Sequence, residues 1–155
     1  MNPVFTSLVA VVGTLAGSTL TFLFQRHIAR QGELFARSQQ LWHEKTAAYS
    51  ALAATLTDFR RSQNDRWHSR QEDPASADFA RAREESYQRR ADATASLCRV
   101  RLVCGDSTLS QLAQDALDAA TDVHLAASEQ DRAERGQAAR LALDRFLAQA
   151  ASQIL

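Results

Sequence analysis

Proline is nearly missing from this chain, and what that absence permits sets the rest of the reading. Only Pro3 and Pro74 occur among 155 residues, so nothing locks the backbone out of a helix between positions 4 and 73. Glycine is sparse as well, with five residues, and β-branched side chains thin out after position 25. Alanine is abundant, and alanine costs least in a helix. The mixture predicts an all-α protein. Two cysteines, Cys98 and Cys104, exclude a secreted disulfide framework. On a helix, six positions apart puts them at different azimuths, too far apart to bridge, and Cys98 reads as a small core residue.

Chemistry-bearing motifs are absent too. None of His27, His43, His68 and His124 stands at a metal-ligand spacing from another histidine or a cysteine. No Gly-x-Ser-x-Gly and no glycine-rich phosphate loop is present. Glu84 and Glu85 are adjacent, so on a helix they diverge instead of forming an acid-base pair. The sequence predicts no enzyme, no cofactor and no metal.

Charge is missing altogether from residues 1–25, while Arg26, His27, Arg30 and Arg37 follow at once. Val4 to Phe24 is an apolar run of 21 residues, which at 1.5 Å per residue spans roughly 30 Å. A secretory leader carries its positive charge ahead of the apolar run, not behind it. The pattern therefore predicts a single-pass anchor over 1–25 with the N-terminus outside. Residues 26–155 then form a cytoplasmic helical domain. Gly13 and Gly17 make a GxxxG in that anchor, extended by Thr6, Ala10 and Thr21. Small residues at this spacing let two helices approach closely, so self-association into a homo-oligomer is expected there.

Beyond the anchor, Phe35, Trp42, Tyr49 and Leu56 recur every seven residues, joined by Leu52 and Phe59. That spacing marks a buried seam. Pro74 and Ser76 break the first helix, near residue 72, and start a second over 76–104. Its expected inner face carries Ala80, Tyr87, Ala91, Cys98 and Leu102. Gly105 suits a left-handed helix end, and Asp106 or Ser107 can cap a third helix over 107–127 with Leu109, Leu112, Ala116, Ala120 and Val123 inward. Ser128-Glu129-Gln130-Asp131 resembles a capping box for a fourth over 129–153, with Leu143, Phe146, Leu147, Ala150 and Ile154 inward and Gly136 as its weak point. Two architectures fit: an antiparallel four-helix bundle, or an extended coiled-coil hairpin with a smaller hairpin folded on it.

Net charge is zero, yet unevenly placed. Residues 26–105 carry 14 basic and 10 acidic side chains, or +4; residues 106–155 carry 4 and 8, or −4. The acidic part is expected to dock on the basic part of the same or a neighbouring chain. Arg60, Arg61, Arg66 and Arg70 precede the proline turn and Arg81, Arg83, Arg89 and Arg90 follow it, with Trp67 and Tyr87 interleaved. Of these, Arg60, Arg61, Arg66, Trp67 and Arg70 are the candidates for contact with a partner protein. Six carboxylates share the stretch, which argues against nucleic acid as the partner.

Two segments, GTLAGSTLTFLFQRHIAR at 13–30 and YSALAATLTDFRRSQNDRW at 49–67, resemble the small actinobacterial membrane proteins called KilB-like. The resemblance implies a membrane protein that assists plasmid transfer between cells, and offers no catalytic residues to carry over. The expected function is thus a self-associating membrane protein that recruits a partner at the inner face. The alternatives are a membrane-tethered nucleic-acid-binding module and a small membrane-perturbing effector.

Overall fold

The computed structural model describes the backbone of residues 3–154 and the side chains of residues 36–154. The described backbone is all helix and connection: α1 (Pro3–Glu72), α2 (Ala77–Val103), α3 (Ser107–Asp122), a 3-10 turn at Val123–Leu125, and α4 (Glu129–Ile154). The chain divides into two compact units, Met1–Leu41 and Trp42–Leu155. In the first, the described side chains, 36–41, are all exposed. Gly13, Gly17 and the apolar run around them lie outside the described side chains. Among the described residues, no helix is long and apolar enough to cross a membrane.

The second unit is an antiparallel four-helix bundle. Tyr49, Leu52, Leu56 and Phe59 of α1 are buried on the seam that their spacing predicts. Phe146 of α4 meets the Tyr49 ring edge-to-face with centroids 5.9 Å apart, and Trp42 donates its indole N–H to the Ile154 carbonyl at 3.1 Å. At the opposite end of the bundle, Arg132 of α4 reaches Asn64 of α1. Rising numbers on α1 thus meet falling numbers on α4. α3 runs alongside α1 in the same sense: Gln63 donates to the Thr121 carbonyl, while the start of α3 at Asp106 receives Gln153, the same residue whose side chain the Tyr49 hydroxyl reaches. The core of α3 and α4 is rich in alanine, with Ala113, Ala116, Ala120, Ala139 and Ala150 buried. Small side chains leave room for the larger Phe59 and Phe146 rings, both fully enclosed.

The connections follow their sequence signals. Ser76 caps α2 by accepting from Phe79 N–H, and Asp73 accepts from Ala75 N–H ahead of it. Of the two candidates for the α3 cap, Asp106 is the one used, accepting from Thr108 N–H at 2.8 Å. Ser128 accepts from Asp131 N–H, and Asp131 reaches back to Ala127 N–H. The reach-back lands one residue earlier than in a standard capping box.

Five expectations fail, two of them at Trp42 on α1 and Leu147 on α4, which the sequence pattern places inward and which are 45% and 38% exposed. The α2 face formed by Ala80, Tyr87, Ala91, Cys98 and Leu102 is exposed, Leu102 to 86%. The buried stripe is instead Ser86, Ala93, Leu97 and Val100. Leu97 and Val100 pack into the core with α1 and α3 side chains, and Ser86 can enter the stripe because its hydroxyl bonds the Arg83 carbonyl of its own helix. Cys98 is accordingly exposed, and Cys104 is the buried thiol. Gly105 does not adopt a left-handed conformation; α2 ends on Cys104 in extended backbone.

Within this chain, no ion pair among the described residues docks the acidic half on the basic half. The four ion pairs among the described residues each lie within one helix, three or four positions apart. Such pairs contribute little. Burial of apolar side chains joins the two halves of the bundle.

Candidate functional site

The arginines proposed from sequence separate into two groups with different work. Arg66 and Arg70, with Trp67, tie the bundle together at the end where the α1–α2 and α3–α4 connections lie. Trp67 is only 6% exposed and donates its indole N–H to the Ala126 carbonyl at 2.8 Å. Arg70 reaches the same carbonyl at 3.4 Å. Arg66 bonds Ser86 on α2 and lies over the Tyr87 ring, 5.4 Å from its centre. A buried indole with its N–H engaged offers no stacking platform to a partner.

His124 belongs to this end. Its Nδ1 stands 2.7 Å from the Thr121 carbonyl. Burial, reinforced by Arg66 and Arg70, holds the imidazole below its usual pKa. A histidine harder to protonate when folded than unfolded binds fewer protons in the native state, so acid favours unfolding. Stability from the neutral ring is present above the ordinary histidine value of about 6.5 and is lost as pH falls below it. Melting temperatures at neutral pH and at about pH 5 should therefore diverge, and His124→Gln should reduce that difference.

Arg60 and Arg61 do something else. They line a groove between α1 and α4, about 290 Å³ in volume, with Asn64, Val123, Ala133 and Gly136. Arg132 and Arg140 of α4 complete it, and neither was a candidate from sequence. Four arginines and no acidic residue are among the lining residues. Arg132 is partly neutralised, paired with Glu129 and bonded to Asn64. Arg60, Arg61 and Arg140 take part in no ion pair among the described residues. Burial lowers the Arg60 pKa, and Arg140 and Arg61 lower it further. Like charges are being held together in a partly desolvated place.

The floor of this groove depends on Gly136. A glycine in a helix interior is destabilising by roughly 0.5–1 kcal/mol relative to alanine. Nothing in the packing demands one, because a Cβ at position 136 would meet no atom within 4 Å. The missing side chain leaves the groove open. Sequence reading flags Gly136 only as a weakness of α4; its meaning emerges when α1 is laid beside it.

The arrangement is suited to binding an anion. Among the described residues, no group of three or more His, Cys, Asp or Glu is placed to hold a metal ion.

Comparison with known proteins places the groove inside a recognised region. The family model described as KilB plasmid transfer protein matches residues 46–154, which include every residue lining the groove. A curated relative, Protein KilB of Streptomyces lividans, is 37% identical over 95 residues. That alignment covers 61% of this chain and 62% of the relative, so less than two thirds of the relative's length is represented. No solved structure matches.

Proposed function

This chain belongs to the KilB plasmid transfer protein family, and from that premise we propose that it serves plasmid transfer as a non-catalytic binding protein. Its N-terminal apolar segment holds it in the membrane with the bundle on the cytoplasmic face, and Gly13 and Gly17 let the anchors associate. The bundle then recruits a partner through its exposed cationic surface. The observation that carries this reading is the groove lined by Arg60, Arg61, Arg132 and Arg140, of which only Arg132 has an ion-pair partner among the described residues.

Complementation of a deletion strain tests it. The double variant Arg60→Glu/Arg140→Glu should fractionate like the wild type and melt no lower, since neither side chain has a hydrogen bond or ion pair among the described residues and its removal relieves like-charge repulsion. Hydrogen bonds to charged groups contribute about 1.5–3 kcal/mol each, so partner capture should fall at least about tenfold per arginine and plasmid transfer should fall with it. Wild-type transfer by this variant would sink the groove's part in the process. Full-length protein found in the supernatant after lysis without detergent would sink the anchor. Gly13→Leu/Gly17→Leu should reduce crosslinking between copies, and undiminished crosslinking would remove the anchor pairing.

A further inference from the structure

We infer that the groove between α1 and α4 is a binding site for a terminal phosphate group, that of a small phosphomonoester, which Arg60, Arg61 and Arg140 grip and Gly136 makes room for. The inference rests on the reading above that this groove is where the bundle binds, and adds the chemistry of what enters.

Three observations lead there. The first is charge: Arg60 and Arg61 on α1 and Arg140 on α4 all line the groove, close enough for Arg61 and Arg140 to disfavour the charge on Arg60, and none has an ion-pair partner among the described residues. Gathering three guanidiniums raises the energy of the free protein, and a bound anion relieves it. The second is Gly136, whose backbone position tolerates a side chain and lacks one beside those arginines. A helix that keeps its least favourable ordinary residue where packing does not require it is keeping space. The third is size: about 290 Å³ lies at the small end of ligand pockets, enough for a phosphoryl group and a modest organic portion.

Phosphate fits these observations better than carboxylate. A guanidinium presents its donors in a flat fork that binds two oxygens at once. Three such forks exceed what the two oxygens and single charge of a carboxylate can accept. A terminal phosphate carries close to two charges at neutral pH and exposes three oxygens. An internal phosphodiester carries only one charge and two free oxygens, fewer than three guanidinium forks can engage.

The test is a titration of the full-length chain in detergent, followed by calorimetry and by melting temperature, at constant ionic strength of about 0.15 M. Inorganic phosphate, adenosine monophosphate and adenosine are the probes, with an unphosphorylated single-stranded oligonucleotide as a fourth. Saturable binding of both phosphate-bearing small molecules, with none of adenosine, is the expected result. Tighter binding of adenosine monophosphate than of phosphate identifies an organic ester as the natural occupant, and the reverse order identifies the free ion. Arg60→Gln and Arg140→Gln should each weaken binding about tenfold or more. Gly136→Leu should abolish it while the helix content and melting temperature are retained. Absence of saturable binding, binding unchanged in the two arginine variants, or an oligonucleotide that binds as tightly as the monophosphate would each overturn the inference. If the arginine variants impair plasmid transfer yet the wild type binds neither phosphate nor adenosine monophosphate, the phosphate assignment fails alone and the recruiting role stands. If phosphate binds as expected and Arg60→Glu/Arg140→Glu transfers normally, it is the role in transfer that fails.

Discussion

Phe146→Ala is expected to lower the stability of the bundle by about 3–5 kcal/mol. Phe146 is fully enclosed at the centre of α4, and its ring stands at 87° to that of Tyr49 across the α1–α4 contact. Truncation removes the transfer energy of the ring and leaves a cavity that the surrounding alanines of α3 and α4 are too short to refill. An edge-to-face aromatic pair adds roughly 0.5–1.5 kcal/mol beyond area, and that contribution disappears as well. Against the ordinary stability of a domain, about 5–15 kcal/mol, this is a large fraction. Leu147 is the internal control: next in sequence, apolar, but 38% exposed. Urea denaturation of the full chain should place Leu147→Ala well under half the loss of Phe146→Ala. Equal losses would mean that α4 is packed on a different face from the one described.

The same contrast explains what sequence made legible. On α1, Tyr49, Leu52, Leu56 and Phe59 are large and regularly spaced, with only alanine and polar residues between them, so one face stands out as the buried one. The helix starts at Ser76 and Ser128 were equally readable, because a capping hydroxyl acts on a backbone N–H three residues away. A signal that local needs no knowledge of the fold. On α2 the information was ambiguous. Tyr87 and Leu102 mark one stripe, Leu97 and Val100 another, and alanines lie on both; partners from α1 and α3 decide between them. Gly105 misled for a related reason: glycine permits the left-handed conformation without imposing it.

The groove was the least legible feature. Arg60 and Arg61 stood out as part of a basic run, but what distinguishes them from Arg66 and Arg70 is contact with residues more than 70 positions away. Arg132 and Arg140 sit in a stretch that is acidic overall, so a tally of charge by segment hides them. A summed charge describes a long-range field; a site depends on which few side chains the antiparallel register brings together. Only the pairing of α1 with α4 supplies that register.

Trp67 is where the reading from sequence and the structure give opposite results in one experiment. A partner-contacting tryptophan should tolerate replacement without loss of stability while partner capture falls. The buried Trp67 predicts the reverse. Its ring is covered by the Arg132 guanidinium, 5.6 Å from its centre, and its N–H is bonded to the Ala126 carbonyl in the α3–α4 connection. Trp67→Ala should therefore destabilise by about 3–5 kcal/mol. Trp67→Phe keeps most of the volume and removes the donor, leaving a fully buried carbonyl with only the longer bond from Arg70. Because the carbonyl keeps that partner, the expected loss for phenylalanine is that of one net hydrogen bond, about 0.5–1.5 kcal/mol. Thermal melts of both variants, read beside phosphate titration of the folded Trp67→Phe protein, separate the roles. Stability should drop in the order alanine, then phenylalanine, while the affinity of the folded phenylalanine variant stays within a few-fold of wild type, since Trp67 does not line the groove. A Trp67→Phe protein that melts like wild type would show that the indole N–H does not hold the α3–α4 connection against α1.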